Sequence, residues 1–217
     1  MVAVVLAAAA VLAGCLPAAP STGRATPVRR VLVLGDSLTF GLFSTTPQVQ
    51  DQLGRRMAAR RVQLIVDGFP AETPIDVFPG HPMWSARLRL AIATQDPDMV
   101  VIQTTLFPNA GDPARQASYR AAVRELFDIA QSRGAHVYIV SHQVQGRAVD
   151  RAETLTAEAI QADVAAGRGI STIPLDWWIA HCRRPFVADG WHLSAAGQEC
   201  HANAITAAVD QLKRVVG

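Results

Sequence analysis

A serine near the start of the chain and a carboxylate–histidine pair near its end are of the types needed for acyl transfer. Ser37 follows the apolar run VLVL and Gly35-Asp36, and Asp189 and His192 lie three residues apart in the segment DGWHLSAAG. A serine hydroxyl becomes a nucleophile only when a base lies within hydrogen-bond distance. A carboxylate beside a histidine orients the imidazole, which then takes the serine proton. Neither motif alone is strong evidence for catalysis, because Gly-Asp-Ser is more often a turn and Asp-x-x-His often occurs by chance. The prediction therefore depends on both motifs together.

The segments VLVLGDSLTFGL and DGWHLSAAG resemble the first and last sequence blocks of the SGNH/GDSL hydrolase family. The resemblance implies a flavodoxin-like α/β/α fold and the chemistry of serine esterases and related acyltransferases. It implies Ser37 as nucleophile, His192 as general base and then general acid, and Asp189 as the carboxylate that orients the ring. The pattern differs from the Gly-x-Ser-x-Gly elbow of α/β-hydrolases, because Thr39 stands where that elbow has its second glycine.

The same resemblance implies an oxyanion hole built from three hydrogen-bond donors. The first is the backbone N–H of Ser37, and the second is a glycine after the second strand, which places Gly80 of VFPGHPMW in this role. The alternative is that Gly80 only permits a turn between Pro79 and Pro82. The third donor is an asparagine directly after the third strand.

The segment after the third predicted strand, which we call the third block, departs from the family pattern. Thr105 and Phe107 stand at the aligned glycine and asparagine positions, and Asn109 comes two residues later. Asn109 completes the hole if the loop bulges at the intervening proline. Otherwise Asn109 is a surface turn residue, and Gln103 or Thr104 is the donor.

Two further histidines lie close to predicted strand ends. His81 adjoins Gly80, and His142 follows the fourth strand in IVSHQVQGR. Either side chain can line the site, and an exposed position without a role is the alternative for both.

The N-terminal residues predict export. Residues 1–14 are an apolar run of signal-peptide length, and LAGC at its end resembles a bacterial lipobox whose Cys15 is lipidated. Residues 15–28 then form a flexible tether, rich in Pro, Ala, Ser and Thr. A plain secretory signal and an N-terminal anchor are the alternatives, and all three export the domain. We therefore expect a protein lipid-anchored at the outer face of the bacterial cell membrane, or secreted.

Export determines how the other cysteines are interpreted. With Cys15 assigned to lipid, Cys182 and Cys200 remain as an even pair in an oxidising compartment, which predicts a disulfide. The chain shows neither paired CxxC motifs nor another metal-ligand spacing, so we expect no metal and no cofactor. A formal net charge of +2 without Lys/Arg runs argues against nucleic acid as a partner.

Short apolar runs alternate with longer amphipathic segments along the rest of the chain. The predicted strands are 30–35, 62–66, 98–103, 136–141 and 170–176, with 75–78 a short strand or an extended loop. The predicted helices are 47–61, 82–95, 113–134, 152–167 and about 195–215. Uniformly apolar strands between helices indicate a five-stranded parallel sheet covered on both faces, a three-layer α/β/α domain over 29–217. Ligands of such sheets bind beyond the carboxyl ends of the strands, where Ser37 falls.

These features together predict an exported serine hydrolase that cleaves or transfers acyl esters through an acyl-enzyme. The segment IPLDWWIAHC and the DGWH block also resemble SGNH domains associated with envelope polysaccharide acyltransferases, which favours an O-acylated cell-envelope glycan as substrate. A lipase or thioesterase for small acyl chains is the nearest alternative. A catalytically silent envelope-binding lipoprotein is the alternative from a different class.

Overall fold

Five parallel strands make one sheet in the computed structural model, which describes residues 27–40, 49–105, 107–141 and 148–216. The strands are β1 (Arg30–Gly35), β2 (Gln63–Gly68), β3 (Met99–Gln103), β4 (His136–Val140) and β5 (Ser171–Ile173). Their order across the sheet is β2-β1-β3-β4-β5. The predicted signal peptide, nearly all of the predicted tether with Cys15, and His142 lie outside the described residues.

Seven helices connect or follow these strands in the described parts of the chain. They are α1 (Ser37–Phe40), α2 (Val49–Ala59), α3 (Trp84–Gln95), α4 (Pro113–Gln131), α5 (Ala148–Ala165), α6 (Leu175–Ala180) and α7 (Ala195–Val216). In these residues no helix is both long and apolar enough to cross a membrane.

Each face of the sheet buries its own apolar core, because successive strand residues point to opposite faces. Leu32 and Leu34 of β1 pack into a core with α3, α4 and α5. Val31 and Val33 pack into the other core, with α2, α6 and α7. The predicted three-layer α/β/α fold with a five-stranded parallel sheet is confirmed.

The sheet order creates a crevice at the end of β1. From β1 the chain moves to β2 on one side, and β3 lies on the other, so the connections leaving β1 and β3 diverge to opposite faces. Gly35 is in register with Gly68 and with Gln103, which brings three strand ends to one edge. Ser37 follows directly at this switch point.

One open alternative is decided by the structure, and one predicted strand is shorter than expected. Residues 75–78 form a loop, the second of the two readings that the sequence allowed. The strand predicted at 170–176 stops at Ile173, because Pro174 has no N–H for a strand partner and is the N-cap residue of α6. The short helices α1 and α6 did not show in the hydrophobic pattern, since each has fewer than two full turns.

Candidate active site

Glycine at position 35 lets the chain turn sharply from β1 into the serine. A Cβ added to Gly35 would lie 2.1 Å from Thr39 Oγ1 and 2.6 Å from the Gln103 carbonyl oxygen. No other residue fits that close approach of α1 to β3. Ser37 is consequently the first residue of α1, with its side chain largely buried at the carboxyl edge of the sheet.

Asp36 ties this turn to the end of β3. Its carboxylate accepts the N–H of Leu38 at 3.0 Å and the N–H of Thr105 at 2.7 Å, and it also accepts the Thr105 hydroxyl. Asp36 is only 2% exposed, so these charge-assisted bonds lie in a low-dielectric region where they are strong. The Thr105 N–H is thereby engaged and does not point to a substrate.

The structure brings together the three residues predicted as a triad. His192 Nε2 lies 3.2 Å from Ser37 Oγ, and His192 Nδ1 lies 2.7 Å from Asp189 Oδ2. A carboxylate only accepts hydrogen bonds, so Nδ1 carries the proton and Nε2 of the neutral ring is the acceptor for the serine hydroxyl. The chain of bonds runs from carboxylate to imidazole to hydroxyl, which is the geometry of an activated serine.

The carboxylate of Asp189 is held in its charged form. Partial burial raises the pKa of Asp189, but the His192 ring and the N–H groups of Trp191 and His192 donate hydrogen bonds that together lower this pKa below its ordinary value. Asp189 Oδ1 accepts those two backbone bonds at 2.8 and 2.9 Å. An ionised Asp189 is suited to stabilise an imidazolium at His192.

A tight antiparallel turn presents His192. Phe186 and Leu193 form an isolated bridge, and the Val187 N–H donates to the His192 carbonyl at 2.9 Å. Gly190 supplies a φ of +68° at the tip of this turn. Residues flanking the bridge thus fix the path between Asp189 and His192.

A disulfide anchors this turn to the last helix, as predicted. Cys182 is bonded to Cys200 of α7, with Cα atoms 6.5 Å apart. Gly197 permits the close packing here, because a Cβ at that position would lie 2.0 Å from the Pro185 carbonyl oxygen. The Asp189–His192 turn is therefore held at both of its ends.

Gly80 lies in an exposed turn between β2 and α3. The His81 N–H donates to the Phe78 carbonyl at 2.9 Å, which encloses Pro79 and Gly80, and Gly80 has a φ of +86°. Proline followed by a residue of positive φ is the pattern of a type II turn, so the backbone conformation itself requires glycine. Its role as an oxyanion donor stays a prediction.

Phe107 of the third block places an apolar ring where the family resemblance implies an asparagine. Phe107 is fully buried and stacks on Tyr119 at 4.3 Å between ring centroids. Burial raises the pKa of Tyr119, whose hydroxyl donates to Thr104 Oγ1 and accepts from the side-chain amide of Gln161. The same amide donates to the Thr104 carbonyl at 3.1 Å. These contacts tie Thr104 into the core.

Gln103 is also fully buried, next to the helix that begins with Ser37. Its Oε1 accepts the Thr39 hydroxyl at 2.9 Å, while its Nε2 has no hydrogen-bond partner in the described part of the chain. This bond holds α1 against the end of β3. The alternative role of Gln103 as an oxyanion donor stays a prediction.

Asn109 lies in an exposed turn before α4, with a φ of +59°. Its N–H donates to Glu153 Oε1 at 2.8 Å, and its carbonyl accepts the Asp112 N–H at 3.0 Å. Asp112 in turn caps α4 by accepting the Ala114 N–H. These bonds account for the backbone of Asn109, and its predicted side-chain role in the oxyanion hole stays a prediction.

A charged cluster beneath the β2–α3 loop was not anticipated from the sequence. Asp67, Glu72 and Arg87 meet there, and His81 joins them. The available signal was two carboxylates in DGFPAE, directly after an apolar strand. No group of three or more His, Cys, Asp and Glu side chains in the described residues is arranged to hold a metal ion.

Comparison with known proteins identifies the family. The model of the GDSL-like lipase/acylhydrolase family matches residues 33–200. The chain belongs to this family. The match covers both blocks that carry Ser37, Asp189 and His192, and no curated protein matches the sequence.

Solved structures share the fold of this GDSL-family chain. The crystal structure of TesA gives a TM-score of 0.65 at 19% identity, over 85% of this chain and 99% of that one. A family 3 carbohydrate esterase of Clostridium thermocellum gives a TM-score of 0.63 at 16% identity, over 87% of this chain and 99% of that one. A GDSL-like lipase from Bacteroides thetaiotaomicron gives a TM-score of 0.61 at 14% identity, over 85% of this chain and 89% of that one. At these identities the similarity establishes the SGNH hydrolase fold and says nothing about the substrate of this chain.

Proposed function

We propose that this GDSL-family chain is a serine hydrolase that cleaves acyl esters through an acyl-enzyme. The observation that carries the proposal is the continuous hydrogen-bonded chain from Asp189 through His192 to Ser37 Oγ. Ser37 Oγ attacks the ester carbonyl while His192 Nε2 takes its proton. The resulting oxyanion collapses, the ester C–O bond breaks, and His192 returns the proton to the leaving alcohol.

The second half of the reaction uses the same base. His192 takes a proton from a water molecule, whose oxygen attacks the acyl-enzyme carbonyl. The bond between that carbonyl carbon and Ser37 Oγ then breaks, His192 returns the proton to Ser37 Oγ, and the acid is released. A sugar hydroxyl in place of water gives acyl transfer instead of hydrolysis. Asp189 stays ionised throughout and offsets the positive charge of the imidazolium.

Backbone N–H groups are the proposed core of the oxyanion hole. Ser37 is the first residue of α1, whose leading N–H groups have no acceptor within the helix itself. Gly80 is the second proposed donor and Asn109 the third, as the family resemblance implies. A single well-placed donor contributes about 10²–10³ in rate. We expect Asn109, which lies in an exposed turn, to contribute the least of the three.

The proposed substrate is an O-acylated glycan of the cell envelope. Support comes from the resemblance to SGNH domains of polysaccharide acyltransferases, and from a fold shared with a carbohydrate esterase. The Cys182–Cys200 disulfide supports an exported protein, because disulfides persist in oxidising compartments. Lipidation of Cys15 would keep the enzyme at the membrane, close to such glycans.

One observation favours a second candidate, an envelope-binding protein without catalysis. Phe107, buried against Tyr119, stands where the family resemblance implies an oxyanion asparagine. Without a compensating donor, hydrolysis would be slow or absent.

A fluorophosphonate probe separates the two candidates. It should label the wild-type chain on Ser37, and labelling should disappear in Ser37→Ala and in His192→Ala. Circular dichroism of each variant confirms that it remains folded. A folded wild type that resists labelling would exclude the hydrolase.

A further inference from the structure

Glu72 is a fully buried carboxylate outside the triad. Its Oε2 accepts Arg87 Nη1 at 2.9 Å, and its Oε1 lies 2.5 Å from His81 Nδ1. The guanidinium of Arg87 also binds Asp67 through two nitrogens and lies 3.9 Å above the ring of Phe69. Four charged or polar side chains are thus linked in a single network beneath the β2–α3 loop.

The network determines how His81 presents its ring. Removing a carboxylate from water is unfavourable unless its oxygens accept hydrogen bonds, and His81 supplies one donor to Glu72. Because a carboxylate only accepts, His81 Nδ1 donates, and Nε2 of the neutral ring is left as an acceptor. Two aromatic rings hold the imidazole in place, Phe69 at 5.2 Å and Phe78 at 5.8 Å between centroids.

His81 lies at the same edge of the sheet as the nucleophile. The Phe69 N–H donates to the Gly35 carbonyl at 3.0 Å, two residues before Ser37, and the His81 ring packs on Phe69. His81 leads into α3, which packs on one face of the sheet, whereas Leu193, next to His192, packs on the other face. Both imidazoles thus lie near the end of β1, His81 through its contact with Phe69 and His192 through its contact with Ser37.

The accessible side of His81 faces solvent together with an aromatic surface. The His81 side chain is 41% exposed although its Glu72 partner is completely buried, and Phe78 beside it is 47% exposed. A fixed hydrogen-bond acceptor next to an exposed ring suits a ligand with both hydroxyl groups and C–H faces. A sugar has both.

We propose that His81 is a substrate-binding residue whose Nε2 accepts a hydrogen bond from a hydroxyl on the alcohol part of the ester. Phe78 packs against the C–H face of the same group. The preferred substrates are accordingly esters of sugars or similar polyols that keep a free hydroxyl near the acyl group. This inference rests on the proposed function, since it assigns the alcohol part of the ester that Ser37 attacks.

Two esters separate recognition from chemistry. p-Nitrophenyl acetate has no hydroxyl on its leaving group, whereas a methyl glycoside with one O-acetyl group keeps free hydroxyls. In His81→Phe, which retains an aromatic ring between Phe69 and Phe78, KM for the glycoside should rise about five- to tenfold, as for loss of one hydrogen bond. kcat/KM for p-nitrophenyl acetate should fall by a smaller factor, so that the ratio of kcat/KM for the glycoside to kcat/KM for p-nitrophenyl acetate drops about five- to tenfold.

Matched variants exclude a merely structural role. His81→Gln restores an acceptor, so it should recover part of the lost glycoside affinity, whereas His81→Phe cannot. Equal losses on both esters, or unchanged KM for the glycoside in His81→Phe, would overturn the inference.

Binding without turnover keeps this test independent of the proposed hydrolase. The dissociation constant of the acetylated glycoside is measured by calorimetry with Ser37→Ala and with Ser37→Ala/His81→Phe. Weaker binding in the double variant supports the role of His81 even if the wild type hydrolyses neither ester, an outcome that would exclude only the hydrolase. Equal binding, or none in either variant, overturns the role of His81.

Discussion

Two carboxylate–histidine pairs lie at the same edge of the sheet, and only one of them reaches a serine. The distances from Nδ1 to the carboxylate are similar, 2.7 Å for His192 with Asp189 and 2.5 Å for His81 with Glu72. The difference is at the other nitrogen, because His192 Nε2 contacts Ser37 Oγ. A carboxylate–histidine pair is therefore a means of fixing an imidazole, and the third partner decides its use.

The surroundings of the two carboxylates differ as well. Asp189 is 46% exposed, and the remaining donors to it are uncharged backbone N–H groups, so its negative charge is available to an imidazolium. Glu72 is buried and shares its charge with the Arg87 guanidinium. The first pair is suited to a histidine that gains and loses a proton, and the second to a histidine with a constant orientation.

The largest expected effect tests whether the two carboxylates have different functions. Asp189→Asn should lower kcat for p-nitrophenyl acetate by about 10³–10⁴, because the His192 tautomer is no longer fixed. Glu72→Gln, the matched change in the other pair, should keep kcat for this ester within about threefold. Steady-state kinetics on both variants measures this contrast, and comparable losses would contradict it.

Stability should show the reverse order. Glu72→Ala leaves Arg87 with one carboxylate fewer in a buried site and should lower the free energy of unfolding by about 3–5 kcal/mol. Asp189→Ala removes a half-exposed carboxylate and should cost about 1 kcal/mol or less. Urea denaturation at pH 7 gives both values, and a larger loss for Asp189→Ala would refute the assignment of Glu72 as a structural charge.

A third histidine, without a carboxylate, sharpens the comparison. His201 of α7 is fully buried, neither ring nitrogen has a partner in the described residues, and burial lowers its pKa to about 4. Between the ordinary pKa near 6.5 and this value the unfolded chain binds a proton that the folded chain does not, so stability falls as the pH drops through this window. The loss amounts to about 3 kcal/mol by pH 4.

His201→Leu tests this pH dependence. It should flatten the decline in unfolding free energy between pH 6.5 and 4, measured by urea denaturation at several pH values. His181→Gln removes an exposed histidine and should leave the decline unchanged. An equally steep decline in His201→Leu would show that other groups cause it.

The smallest expected effect concerns the turn that carries His81. Gly80→Ala places a Cβ at a φ of +86°, which costs about 1–2 kcal/mol of strain and moves the proposed N–H donor, so kcat should fall about tenfold or more. Asn109→Ala, in an exposed turn tied to Glu153, should change kcat by less than about tenfold. A loss of 10²–10³ in Asn109→Ala alone would instead make its amide the main donor.

The approach of Ser37, Asp189 and His192 to one another was predictable because its signals are local. Ser37 follows an apolar run with glycine at the turn, and Asp189 and His192 share one short turn, so residue types and spacing were sufficient to propose both halves. The disulfide was predictable for a similar reason, since two cysteines remained after Cys15. The end of β5 and the start of α6 were not predictable. Pro174 ends the strand there, although the apolar run continues past it.

The sequence by itself determined the alternation of strands and helices, the serine at a strand end and the histidine turn, because hydrophobic period and turn chemistry act over a few residues. Only the tertiary structure decided which distant side chains meet. Asp36 with Thr105, and Glu72 with His81 and Arg87, are joined by the paths of loops across the sheet edge. Whether a histidine beside a carboxylate meets a serine or faces solvent depends on those paths, which no local pattern specifies.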